Sequence, residues 1–98
     1  MKVLITGTSR GIGLAITEKF IACGHEVIGI DVLDSSISNS NYRHFKADIY
    51  SDELPDITPC DILINNAGVQ DSGRDIDVNL KGTIRVTEKY AFHSFWQG

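Results

Sequence analysis

The stretch "TGTSRGIG", Thr6 to Gly13, follows the apolar run "KVLI" and places three glycines within eight residues. Glycine loses more conformational freedom on ordering than any other residue, so such a cluster needs a reason in backbone shape or close approach. A short apolar strand running straight into a helix supplies one. The turn between them aims free backbone N–H groups and the positive end of the helix dipole beyond the strand. That arrangement suits a diphosphate. In this reading Gly7 lets the chain turn sharply, Gly11 lets backbone approach phosphate oxygens, and Gly13 lets the helix pack close to the strand. The spacing is G-x-x-x-G-x-G, with Ile12 directly after Gly11. It is not a P-loop, which needs Lys and then Ser or Thr after its second glycine.

The remaining pattern predicts the sheet around this turn. "KVLIT" is apolar enough to be buried on both faces, as in a parallel sheet covered by helices. From Gly11 to Cys23 the spacing is helical, with Ile12, Ile16, Phe20 and Cys23 on one face and Gly24 as the stop. "HEVIGIDV" is a second strand, "LDSSISNSN" a polar loop, and "YRHFKAD" a third, more exposed strand. "IYSDELPDITPC" contains Pro55 and Pro59 and has room for a turn or two of helix at most. "DILIN" is a fourth strand and "NAGVQDSGRD" a loop. A last helix carries Ile76, Leu80, Ile84, Thr87, Ala91 and Phe95 as one apolar stripe. Strands alternating with crossovers predict an α/β fold: a Rossmann-like parallel sheet, half of a doubly wound fold, with strand order 3-2-1-4. The whole of 1–98 reads as a single domain, with its ligand crevice where the order reverses, between strands 1 and 4.

Composition narrows the partners. The net charge of −4 argues against a general nucleic-acid or anionic-membrane surface. The opening apolar run is far too short for a signal peptide or a membrane span. Cys23 and Cys60 form no C-x-x-C, and His25, His44 and His93 show no ligand spacing, so no metal site is expected. Unpatterned, reduced thiols fit a cytoplasmic protein.

At this point the chain resembles the short-chain dehydrogenase/reductase family. "TGTSRGIG" is similar to its glycine motif, which implies cofactor contacts from Gly7, Thr8, Ser9, Arg10, Gly11, Ile12 and Gly13. "NNAG" resembles the family's mark after strand 4 and adds Asn66, Ala67 and Gly68. "KADI" places Asp48 and Ile49 where the family contacts the adenine ring. "DVNLKGT" places Asn79 where the family has the Asn of its catalytic tetrad. The resemblance implies hydride transfer between a nicotinamide cofactor and an alcohol or ketone. Asp31 also has a role of its own, ending strand 2 eighteen residues after Gly13. There it can accept from the adenosine ribose hydroxyls, and its charge would repel a 2′-phosphate, which favours NAD over NADP. Arg10 pulls the other way.

The resemblance also shows what these 98 residues lack. Family members use a Ser, and a Tyr with a Lys four residues later, all after the Asn. A phenol titrates near 10, so a neighbouring cation is a physical need for proton transfer near neutrality. Tyr42 and Lys46 have that spacing but precede Asn79 and fall on strand 3, expected far from the crevice. Tyr90 is followed four residues on by Ser94 and fails the pattern. The expectation is a chain that binds a dinucleotide through its adenosine and diphosphate and turns nothing over alone. The alternative is a non-enzymatic nucleotide-binding or interaction module. Self-association through the strand 4 edge or the last helix is expected as well.

Overall fold

In a computed structural model the chain is described over residues 1–67 and 75–91, with 75–80 as backbone only. Lys2–Thr6 forms β1, and Val3 to Thr6 are all buried. Both of its edges are occupied: β2 (Glu26–Asp31) runs parallel on one side and β4 (Ile62–Ile64) on the other. β3 (Tyr42–Lys46) pairs parallel with β2. The resulting order, β3-β2-β1-β4, is the one expected from strands joined by right-handed crossovers.

Alternation along β1 divides the core in two. Val3 and Ile5 join Val27 on the face covered by Ile16, Phe20 and Ile21 of α1 (Gly11–Ala22). Leu4 joins Ile28 and Ile30 on the opposite face, with Ile49, Leu54, Val86 and Tyr90. A helix on each face explains why β1 is wholly apolar from Val3 to Ile5.

The buried stripe of α1 is not the expected one. Ile12 is 72% exposed and Cys23 is exposed, whereas Gly13 and Thr17 are buried. The tight turn out of β1 puts Gly13 against the strand, and this rotates the helix by about one residue. Thr17 is tolerated on that face because its hydroxyl donates to the Gly13 carbonyl at 2.7 Å. Gly24, at φ 87°, ends the helix as expected, its N–H donating to Ile21 O at 2.9 Å.

α2 (Asp75–Val86) continues into a π-helical turn, Thr87–Ala91. Here too the stripe is displaced. Gly82, Val86 and Tyr90 are buried, while Ile84 is 46% exposed. Glycine at position 82 lets the helix close on Tyr50, because a Cβ there would overlap the Tyr50 ring as it stands. The wider π turn then brings Tyr90 inward, where its hydroxyl donates to Pro55 O at 2.7 Å. Burial pushes that phenol's pKa well up, helped by the charges of Asp56 and Cys60. The stretch from Ala47 to Asp61 forms no helix, only a turn in which Asp52 N–H donates to Asp48 O at 2.9 Å. Instead α2 and the π turn hold it: the Arg85 guanidinium of α2 donates to the carbonyls of Ile49 and Asp52, and Lys89 of the π turn pairs with Asp56 at 3.0 Å.

Candidate functional site

The end of β1 is tied to the chain leaving β4 by one hydroxyl. Thr6 is fully buried, and its Oγ1 accepts the N–H groups of Asn66 at 3.0 Å and Ala67 at 3.1 Å. Asn66 returns the contact, donating its Nδ2 to Gly7 O at 3.1 Å. Gly7 in turn donates its N–H to Ile30 O at 2.8 Å, so strands 1, 2 and 4 meet at this residue. Its φ of 76° favours glycine, and a Cβ there would lie 2.9 Å from the Cα of Ala67. A Cβ on Gly13 would overlap the Gly7 carbonyl itself. Gly7, Gly13 and Asn66 therefore interlock, and the helix begins against the strand end because nothing larger than hydrogen separates them.

Around that joint the start of α1 is left open. Arg10, the residue before it, is extended and exposed, and no side chain caps the first turn. No acidic residue lies in that turn, so no charge within the helix itself offsets its positive end. Gly11 has φ 60°, and its missing side chain would meet nothing within 4 Å. The first turn thus begins at a residue with open space where a side chain would stand. Helix-start amides without intrahelical acceptors, beside a position where no Cβ blocks approach, are a general setting for an anion.

Thr8 and Ser9 point inward, only 1% and 6% exposed. The Ser9 N–H donates to Asp31 Oδ2 at 2.9 Å, and Ser36 donates its hydroxyl to Ser9 O at 2.6 Å. Asp31 Oδ1 accepts the Leu33 N–H at 2.9 Å. The carboxylate at the end of β2 therefore holds the glycine loop and the β2–β3 loop together, and each oxygen keeps lone pairs beyond these single bonds. Asp48 Oδ1 accepts the Tyr50 N–H at 2.8 Å, and the Asp48 N–H donates to Asp52 Oδ2 at 2.8 Å. Ile49 sits in the core, 4% exposed.

Of the residues expected from sequence, the structure gathers 7–13, Asp31, Asn66 and Ala67 at the carboxyl ends of β1, β2 and β4. Asp48 and Ile49 leave β3 beside them. Gly68 lies outside the described residues. Asn79 is on α2, its side chain outside them. Thr6, Gly29 and Tyr42 were not expected to serve the site. Tyr42 in particular is not remote from the crevice, because its hydroxyl reaches Thr8 Oγ1 at 2.7 Å. Its pairing with Lys46 does not follow. On a strand, residues four apart stand about 13 Å from each other, and Lys46 pairs with Asp34 at 3.1 Å. No signal in the sequence marks the Tyr42 contact, which depends on the register of β3 against β2.

A sequence profile of the family described as short chain dehydrogenase matches residues 1–94. The short chain dehydrogenase ausX of Penicillium brasilianum is 40% identical over 88 residues, covering 76% of this chain and 34% of that protein. The ligand-free aldohexose dehydrogenase structure from Thermoplasma acidophilum superposes with a TM-score of 0.76 at 26% identity, over 95% of this chain and 44% of the other. A short chain dehydrogenase structure from Leptospira borgpetersenii with bound NAD+ superposes with a TM-score of 0.70 at 25% identity, over 90% and 43%. The chain spans 34% to 46% of the length of the curated relatives it matches. No helix among the described residues is long and apolar enough to cross a membrane. With the interlocked glycines, the parallel 3-2-1-4 sheet and the profile match all in agreement, the chain belongs to the short chain dehydrogenase family.

Proposed function

We propose that these residues are the NAD-binding half of an oxidoreductase that moves hydride between a nicotinamide cofactor and an alcohol or ketone. The observation that carries this reading is the uncapped start of α1, opened by Gly11, at the point where the strand order reverses. The amides of Gly11, Ile12 and Gly13 would hold the diphosphate, and Asp31 would accept from the adenosine ribose hydroxyls. Asp48 and the backbone of Ile49 would border the adenine, with Asn66, Ala67 and Gly68 lining the crevice floor. When bound, the nicotinamide supplies the hydride acceptor or donor. This chain's own contribution to proton chemistry is Asn79, which can orient a water but cannot relay a proton from substrate alone. The 98 residues are therefore expected to bind without turnover.

Asp31 supports NAD over NADP. Its carboxyl group, held in place by two backbone N–H groups, would stand against a 2′-phosphate. Calorimetric titration tests both points. The chain should bind NAD, bind NADP at least tenfold more weakly, and oxidise no alcohol with either. Asp31→Asn should keep an acceptor for Ser9 and lower the preference for NAD by about tenfold, the worth of a charge-assisted hydrogen bond. Equal affinities in the unsubstituted chain would overturn the choice of NAD, and flat traces with both nucleotides would overturn the reading as a whole.

Self-association belongs to the same proposal. Among the described residues β4 pairs on one side only, and Ile62, Leu63 and Ile64 are half-buried. Burying several hundred Å² of apolar surface at about 25 cal/mol per Å² stabilises by several kcal/mol. Sedimentation at high micromolar concentration should show dimers or larger species, and a sharp monomer boundary would sink the idea.

A further inference from the structure

The underside of the glycine loop rests on a chain of hydrogen bonds that the dinucleotide reading does not use. Thr8 Oγ1 lies 2.7 Å from the Tyr42 hydroxyl, and that hydroxyl lies 2.6 Å from His44 Nδ1. His44 Nε2 lies 2.9 Å from Leu33 O. The direction of the chain follows from its last member. A carbonyl only accepts, so Nε2 carries the proton. In the neutral ring Nδ1 is then an acceptor, Tyr42 must donate to it, and Thr8 must donate to Tyr42. Each group in the series has one role left, and the Thr8 side chain is locked. Burial raises the Tyr42 phenol, which the Thr8 bond opposes and the Asp31 charge reinforces, so the hydroxyl keeps the proton it donates.

The register of β3 makes room for this contact. Tyr42 begins β3 opposite Val27, two residues before the level of Gly29, and its ring passes over Gly29 toward the loop. A Cβ on Gly29 would overlap both the Tyr42 hydroxyl and Thr8 Oγ1. A glycine in the middle of a buried strand weakens it unless something must pass close by. Here the passing group is the Tyr42–Thr8 pair.

We propose that Tyr42 and His44 are positioning residues for dinucleotide binding, holding Thr8 and so the amides of the glycine loop in their receptive orientation. This rests on the dinucleotide reading above. Neither residue touches the ligand. They act by keeping the loop in one arrangement, and apparent affinity falls in proportion when the competent arrangement is less populated.

The test combines NAD titration with histidine NMR on folded samples of the full chain. In the unsubstituted protein long-range ¹⁵N–¹H spectra should show a protonated Nε2 and an unprotonated Nδ1 on His44. Tyr42→Phe keeps the ring and removes one hydrogen bond, so NAD should bind about three- to tenfold more weakly. His44→Leu should match it. His44→Asn can place Oδ1 near the Nδ1 position and should restore binding to within about twofold. A purely structural role would lower the melting temperature and leave the affinity of the folded protein unchanged. The proposal is overturned if Tyr42→Phe binds like the parent, if His44→Asn is as weak as His44→Leu, or if the tautomer is reversed. Loss of NAD binding in the unsubstituted chain would instead defeat the function reading, and the positioning role with it.

Discussion

Alanine at position 13 should cost the fold about 3 kcal/mol or more and abolish nucleotide binding with it. The added methyl would overlap the Gly7 carbonyl and crowd Asn66 Nδ2. Backbone cannot rotate out of the way as a side chain can, so α1 has to move off the sheet, and overpacking of this kind costs typically 1–3 kcal/mol and occasionally more. A domain of this size has only about 5–15 kcal/mol in total. The companion variant is Gly11→Ala. There the methyl meets nothing in the protein, and the cost is the left-handed backbone alone, about 1–2 kcal/mol. Under the proposed function its methyl would instead occupy space kept for the diphosphate. Urea denaturation and NAD titration should therefore separate the two: Gly13→Ala loses stability first, whereas Gly11→Ala stays folded and loses binding. Equal stability losses in both would contradict the interlock described at the end of β1.

Thr6→Val should be nearly as damaging, although it changes the side chain's shape very little. Valine removes the oxygen that accepts the Asn66 and Ala67 N–H groups. Leaving donors unpaired in a buried place costs about 1–3 kcal/mol each, so a loss of about 2–4 kcal/mol is expected. Thr6→Ser keeps the oxygen and should lose about 1 kcal/mol, mostly for the missing methyl. Hydrogen exchange gives the local readout. The amides of Asn66 and Ala67 should exchange much faster in Thr6→Val and little faster in Thr6→Ser. Similar protection in both variants would mean that the hydroxyl is not what joins β1 to the chain after β4.

Both effects concern residues whose importance is unevenly visible in the sequence. Three glycines after an apolar strand announce a strand-to-helix turn built for close approach, and the order of apolar runs is enough to predict a 3-2-1-4 parallel sheet. These are readable because they depend on local matters: which residues permit left-handed backbone, which runs are apolar, and how far apart they stand. Asp31 is readable for the same reason, since a carboxylate at the end of strand 2 must lie near the loop that ends strand 1.

Helix rotation was not readable. Ile12 and Ile84 fit their apolar stripes by spacing, yet both are exposed, because Gly13 and Gly82 are the positions that allow each helix to approach its neighbour. Spacing counts apolar side chains and is blind to the pull of a missing one. Nor could spacing show that Thr6 is a shared acceptor or that Gly29 clears a path for Tyr42, since each involves strands that are distant in sequence. By itself, then, the chain's order of residues determined the architecture and the location of the glycine turn between β1 and α1. Only the packing of α1 and α2 on the sheet, and the register of β3 on β2, decided which faces are buried and what braces the loop. The physical reason is that backbone preference acts over a few residues, whereas contact between elements depends on how closely two surfaces can approach.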